Sequence, residues 1–501
     1  LGAKGSLLFL LLCLLTARAA AATTTQPSDW RLPNLNWSST RAVSASPIDA
    51  ADVAHLRVRW RYVFANSRIS DSTPVPEVSR GVVATPLVVG DSVFIQDATS
   101  AVFALNRATG ALRWVHSFAA PNFGRNGLSY SSGSLYASTD TTVFALSGRT
   151  GQMLWERRLV TATQQYVDVA PLIADNLVFI ATVGYPPGGK GVLYALDAHD
   201  GAIVWKFTTI RGEWAHPQLA GGGGVWYTPS LGANGVLYTG VANPYPFGGL
   251  PKYPNGSVFA GDALYTDSLL ALDVHTGHLL WYDQVTPHDF RDYDFQLPPI
   301  LSTLTVAGRS EQAVIGGGKA GEVVAWNASS HARLWTARVG EHLNDLGPLP
   351  AHRVTVCPGF YGGIETPMAL SAGTLFVPVV NLCVHGSATS YQAIGTLNPT
   401  SGSGEFVALD ASDGHVLWQR KLPQPDYGCA TAADGVVFTS TWDGHLYGFD
   451  AATGKLLWQA QSSAGINGCP ALSGKLLLVP AGIQTSKMRH VRFELVAYAV
   501  P

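Results

Sequence analysis

The chain has 501 residues, 13% of them charged and 47% hydrophobic, with 53 glycines, 30 prolines, 14 tryptophans and a formal net charge of -2. Disordered chains and coiled coils need far more charge and fewer aromatics, and a near-neutral chain offers no basic footprint for nucleic-acid phosphates. Length alone allows several domains or one closed all-β repeat, and the elements in chain order favour the repeat.

Residues 1–22 read as a secretory signal peptide: Lys4, an apolar run from Leu7 to Leu15, then Ala17, Arg18 and Ala19 as an A-x-A-like cleavage site. The run is too short for a membrane span, and no later stretch is apolar enough to cross a bilayer. The expected mature chain, 23–501, is secreted, or periplasmic in a bacterium. Cys13 leaves with the signal. Cys357, Cys383, Cys429 and Cys469 remain, an even set suited to one or two disulfides whose pairing the spacing does not fix. Their spacing matches no zinc site, and no CxxCH haem attachment occurs. Sequons at Asn36, Asn255 and Asn327 predict a glycoprotein if the secretory route is eukaryotic.

An eleven-residue pattern then recurs: ALNRATGALRW ending at Trp114, ALSGRTGQMLW at Trp155, ALDAHDGAIVW at Trp205 and ALDVHTGHLLW at Trp281. AWNASSHARLW follows at Trp335, ALDASDGHVLW at Trp418 and GFDAATGKLLW at Trp458. Each copy predicts a strand, a tight turn and a strand. Asp or Asn folds onto the turn backbone, Gly supplies positive φ, and the apolar residues lead to a Trp that wedges between units. The copy ending at Trp335 lacks the Thr-Gly turn, so its unit is expected to be the least regular.

Trp60 in HLRVRW matches only the second half of the pattern, and the C-terminal LVAYAV only the first. The two ends are thus expected to complete one blade together, which pairs exposed strand edges and closes the ring. Eight Trp stations, the shortest intervals being 40 and 41 residues, predict a single domain: an eight-bladed β-propeller of four-stranded antiparallel blades. A seven-bladed ring follows if Trp60 is not a station. Extra length between Trp205 and Trp281, Trp281 and Trp335, and Trp335 and Trp418 marks the loops where a site is expected.

The ALDxxTGxxxW signature resembles that of quinoprotein dehydrogenases, which bind pyrroloquinoline quinone (PQQ) in such a propeller, and is most similar to the polyvinyl-alcohol dehydrogenase-like type. The resemblance runs from Trp60 to the C-terminus. It implies oxidation of a small alcohol or polyol by hydride transfer to PQQ beside calcium or a lanthanide. TPHDFRDYDF resembles the stretch whose second Asp is the general base, which gives that role to Asp292. VANPYPFGG resembles the segment whose Asn ligates the cation, and so implicates Asn243, with Asp292 and Asp294 as further ligands. GGGGVWYTP implies Trp226 stacked under the quinone, GGGKAGEVVAW implies Lys319 on its oxygens, and VPVVNLC implies Asn381 as another contact. Arg125 lies one residue from the position expected to bind the cofactor carboxylates.

Three departures accompany the resemblance. Tyr185, Pro186 and Pro187 stand where a metal-ligand glutamate is expected, and Val83 or Thr85 where some members place a glutamate toward the cofactor. The adjacent-cysteine pair of several members is missing, while Cys429 and Cys469 occupy equivalent places in successive units and could bridge near the channel. With no haem segment, electrons would pass to a separate acceptor such as a cytochrome c or a dye. The competing reading is a non-catalytic propeller that has lost its cofactor and serves as a secreted binding or scaffold protein.

Overall fold

The computed structural model describes residues 29–65, 67–70, 79–118, 120–122, 127–185, 188–211, 216, 219, 221–259, 261–391, 401–485 and 488–501. The signal-like segment lies outside them, as does Arg125. Within them the chain forms eight antiparallel blades. Blade 1 consists of Leu87–Val89, Ser92–Gln96, Val102–Asn106 and Leu112–His116, running from the inner strand outward. Blades 2 to 7 repeat this order within 129–158, 172–208, 230–284, 300–338, 369–422 and 431–461. Blade 3 adds a short strand, Gln165–Tyr166, paired to the end of its second strand.

Blade 8 takes its inner three strands from the C-terminal region and its outermost strand, Arg57–Val63, from the N-terminal region. Trp60 pairs with Ala497, as Trp114 pairs with Ala104 in blade 1, so Trp60 is a true station and the count is eight. The two chain ends thereby pair within one blade and close the ring.

The repeat works through the Trp-Gly pair. In blades 1 to 7 the hairpin carries a one-residue register shift beside the residue opposite its Trp, an alanine in blades 1 to 6, for example between Ala195 and Leu196, and Gly448 in blade 7. The indole Nε1 of Trp155 donates to Ala198 O in the next hairpin turn at 2.9 Å, and that of Trp205 to Val274 O at 3.0 Å. The turn glycine lies flat under the ring: a Cβ on Gly201, at φ 71°, would stand 2.6 Å from Trp155. Glycine is therefore required twice, for the positive φ and for the close approach. Blade 5, which lacks it, keeps the same hairpin register as its neighbours. His331 takes the turn position at φ 63°, and its ring stacks on Trp281 at 4.7 Å with 16° between planes.

Candidate active site

The loops that leave the second strand of each blade meet at one rim, and blades 3 to 6 bring the named residues there. Asn243 follows Val236–Gly240, Lys319 follows Arg309–Gly317, Asn381 ends Thr374–Asn381, and Tyr185 follows Leu177–Gly184. The loop from blade 4 to blade 5 carries Asp289 to Asp294, and a bridge between Val241 and Phe295 sets it beside Asn243.

The Lys319 ammonium joins two buried acids, Asp292 Oδ2 at 2.9 Å and Asp294 Oδ2 at 2.6 Å. The backbone explains the fit. Lys319 N–H donates to Asp294 O at 3.0 Å, a closeness available only because residue 318 is glycine, where a Cβ would lie 2.0 Å from that oxygen. Asp294 Oδ1 accepts the Asn243 N–H at 2.8 Å, which ties Asn243 to the same cluster. Asp292 itself sits at φ 66°, a left-handed conformation costly for a side-chain-bearing residue, and Asp289 holds it there. One Asp289 oxygen accepts the Arg291 N–H and the other the Tyr293 N–H, each at 2.7 Å, so a buried carboxylate clamps both flanks of Asp292.

Burial pushes the Asp292 carboxyl well above the usual carboxylate range, with Lys319 opposing and Asp294 and Asp289 reinforcing the shift. Burial likewise raises Asp289, to about 6, against the pull of its two backbone bonds. For Lys319, burial disfavours the charge, but Asp292, Asp294 and Glu365 outweigh it and hold its pKa above the usual lysine value. The rim is thus a low-dielectric pocket of acids organised around one ammonium.

Sequence reasoning missed several members. Asp267, fully buried, has no hydrogen-bond partner for either carboxyl oxygen among the described residues, and the neighbouring Thr266 hydroxyl donates to Ala263 O at 2.8 Å. Burial raises its pKa well above the usual range, and Asp289, Asp294 and Asp292 add to the shift. Glu365, Asp168 and Gln296 stand four residues before the first paired residue of their inner strands, as Trp226 does in blade 4. That shared offset was readable in advance, whereas nothing in TDSLLALD singles out Asp267. An aromatic wall completes the rim. Tyr166 and Tyr185 stack at 5.6 Å with their hydroxyls 3.0 Å apart, Tyr166 and Trp226 lie 6.1 Å apart, and Tyr185 meets Tyr245 edge-on at 5.4 Å.

Of the nominated residues, Asp292, Asp294, Lys319 and Asn243 come together. Trp226 joins the aromatic wall, and Asn381 spends its side-chain oxygen on the Glu341 N–H at 2.9 Å. Cys429 bridges Cys469 across blades 7 and 8, and Cys357 bridges Cys383. The donors fit a hard cation in kind: two carboxylates and the Asn243 Oδ1, which no donor among the described residues reaches. Tyr185 adds no charge, because burial pushes its phenol up to about 12. The half-buried Trp226 ring and the Lys319 ammonium suit a planar, oxygen-rich cofactor.

Eight tryptophan-docked blades with an acid-lysine cluster on one rim define a quinoprotein-type propeller. The family model described as "Glucose/ethanol/alcohol dehydrogenase, beta-propeller domain" matches residues 160–339. The one described as "Outer membrane protein assembly factor BamB" matches 48–186 and 319–485. A quinohemoprotein alcohol dehydrogenase of Comamonas testosteroni is 25% identical over 91% of this chain and 72% of its own length. A polyvinylalcohol dehydrogenase of a Pseudomonas species is 25% identical over 79% of this chain and 62% of its own. A solved europium-containing methanol dehydrogenase superposes with a TM-score of 0.80 at 21% identity, covering 95% of this chain and 98% of that one, a likeness of fold. These matches make the chain similar to PQQ-dependent quinoprotein alcohol dehydrogenases, over 160–339 by family model and over most of its length by its relatives.

Proposed function

We propose that the protein is an exported PQQ-dependent alcohol dehydrogenase, a single propeller domain over 23–501 acting on a small alcohol or polyol. The observation that carries this reading is the Lys319 ammonium clasped by two buried carboxylates, one of them bonded to Asn243. The alcohol dehydrogenases among its relatives support the reaction class. When bound, PQQ supplies the carbonyl carbon that accepts hydride, and calcium or a lanthanide supplies Lewis acidity beside it. Asn243, Asp292 and Asp294 would hold the cation, and Trp226, Lys319, Asn381 and Arg125 the cofactor.

Asp292 accepts the proton of the substrate hydroxyl. Its Oδ2 is anchored by Lys319, and its Oδ1 has no protein partner among the described residues, so one oxygen orients the acid while the other stays open for the proton. Lys319 opposes, without cancelling, the burial that raises the pKa of this acid. The Asp289 clamp fixes the loop, and the tyrosine wall limits water around the acid. Electrons would then pass to an external acceptor such as a cytochrome c or a dye.

Mixing the protein with PQQ and calcium or a lanthanide should shift the quinone absorbance and give alcohol-dependent dye reduction. Asp292→Asn should abolish dye reduction and keep the absorbance shift. No shift with any ion refutes the reading and leaves a secreted binding or scaffold propeller, which the BamB-type match and the neutral Tyr185 favour.

A further inference from the structure

We infer that the outer side of the 286–293 loop holds a second site, separate from the acid-lysine cluster, for a small organic monocarboxylate. A cavity of about 480 Å3 opens there between this loop and the segment 345–348, with Arg291 in its wall. Arg291 is buried, and its guanidinium carbon lies 4.3 Å from the centre of the Phe290 ring. Nη2 donates to the carbonyl oxygens of Asn344, at 3.3 Å, and Gly347, at 2.5 Å. Nε and Nη1 have no acceptor among the described residues, and no carboxylate there comes within 4.0 Å of the guanidinium.

The acids on the same walls are already engaged. Asp289 has one oxygen on each of two loop amides. Asp345 pairs with Arg338 and with His342 Nδ1, the latter at 2.7 Å, and Glu322 faces Arg338 at 3.7 Å. Among the described residues Arg291 is therefore the one guanidinium of this cavity with donors to spare, and its open Nη1 can give a carboxylate a charge-assisted hydrogen bond. Val285, Pro287, Leu346 and Pro348 make much of the remaining wall apolar. That lining suits an acid with a hydrocarbon body better than an inorganic anion.

Hexanoate titrated calorimetrically into the full protein, with neither quinone nor added metal, should bind at one site per chain. Hexanamide, similar in shape but uncharged, should bind roughly 10- to 100-fold more weakly, and Arg291→Gln should weaken hexanoate by a similar factor. Leu346 is 70% exposed at the rim, so Leu346→Glu leaves the arginine and the fold in place. It should also weaken hexanoate, through repulsion that added salt reduces. Equal binding of acid and amide, full binding by Arg291→Gln, or no saturable binding would overturn the inference. Displacement of hexanoate by equimolar sulfate would overturn its organic-acid part. Because no quinone enters the assay, its outcome is independent of the proposed activity.

Discussion

Replacing Lys319 with Met keeps the stem and removes the charge that two buried carboxylates share at 2.9 and 2.6 Å. Breaking a buried ion pair by deleting one partner costs about 3–5 kcal/mol, because the remaining charge is left without compensation. Unfolding entropy of roughly 2.1 cal/mol/K per residue gives about 1 kcal/mol/K for a chain of this size, so the melting temperature should fall by about 3–5 °C at pH 8. The pH dependence follows from burial. Asp292 is raised above its unfolded pKa, so the folded state binds more protons than the unfolded state, and stability declines as pH rises. Without Lys319 that decline steepens, and at pH 5 the acids of the variant take up protons and most of the deficit should vanish. Calcium added at pH 8 should recover part of it if the oxygen donors receive a hard cation. Thermal unfolding followed by tryptophan fluorescence reads all three conditions. An unchanged melting temperature at pH 8, or a deficit of equal size at both pH values, would refute the electrostatic account of the rim.

Asp289 makes a second pH prediction. Its pKa of about 6 in the fold against 3.8 unfolded means stability falls as pH rises from about 4 to 6, by about 3 kcal/mol, and Asp289→Asn should flatten that slope in urea titrations. Gly277→Ala places a Cβ 2.5 Å from Trp205 at φ 69° and should cost about 2–4 kcal/mol by the same measurement. His331→Gly at the equivalent turn trades a strained φ for a lost stack on Trp281 and should stay within about 1 kcal/mol of the parent. Tyr185→Glu returns a charged oxygen to the rim and should strengthen calcium binding by about tenfold or more in calorimetry.

The propeller was legible because its grammar is local. Asp or Asn, Gly and Trp fall within eleven residues, and each performs its part inside one hairpin or on the next, as Trp155 does on Gly201. Even the circular closure could be read, since each chain end carries half a repeat. The expected irregularity of blade 5 did not appear, because a histidine can adopt the turn conformation and offer its own ring to the preceding tryptophan. The site was only partly legible. HDFRDYDF and GGGK named the acids and the lysine, but the bond joining them spans 27 residues of sequence, and the contact of Gln296 with Glu365 spans 69. Which side chains face the rim depends on how blades pack around a ring, and no periodicity within one blade encodes that. Asp289 could be read only as an acid that caps a turn, and its function as the clamp of Asp292 emerges from two backbone bonds that fold with the loop.

The tyrosine at 185 follows from the charge balance of this rim. Asp267, Asp289, Asp292, Asp294 and Glu365 are all buried there, with Lys319 the one ammonium among them. Another buried carboxylate would raise the cost of ionising every neighbour, whereas a phenol held at about 12 adds an oxygen without charge and packs its ring between Tyr166 and Tyr245. The same balance gives Tyr185→Glu opposite effects in two buffers. In chelator the added acid lacks a counter-charge, so the variant should melt below the parent. With calcium it gains an anionic ligand, so the gap should close or reverse. Destabilisation of equal size in both buffers would mean that residue 185 serves the aromatic wall alone and that its charge is invisible to the acids across the rim.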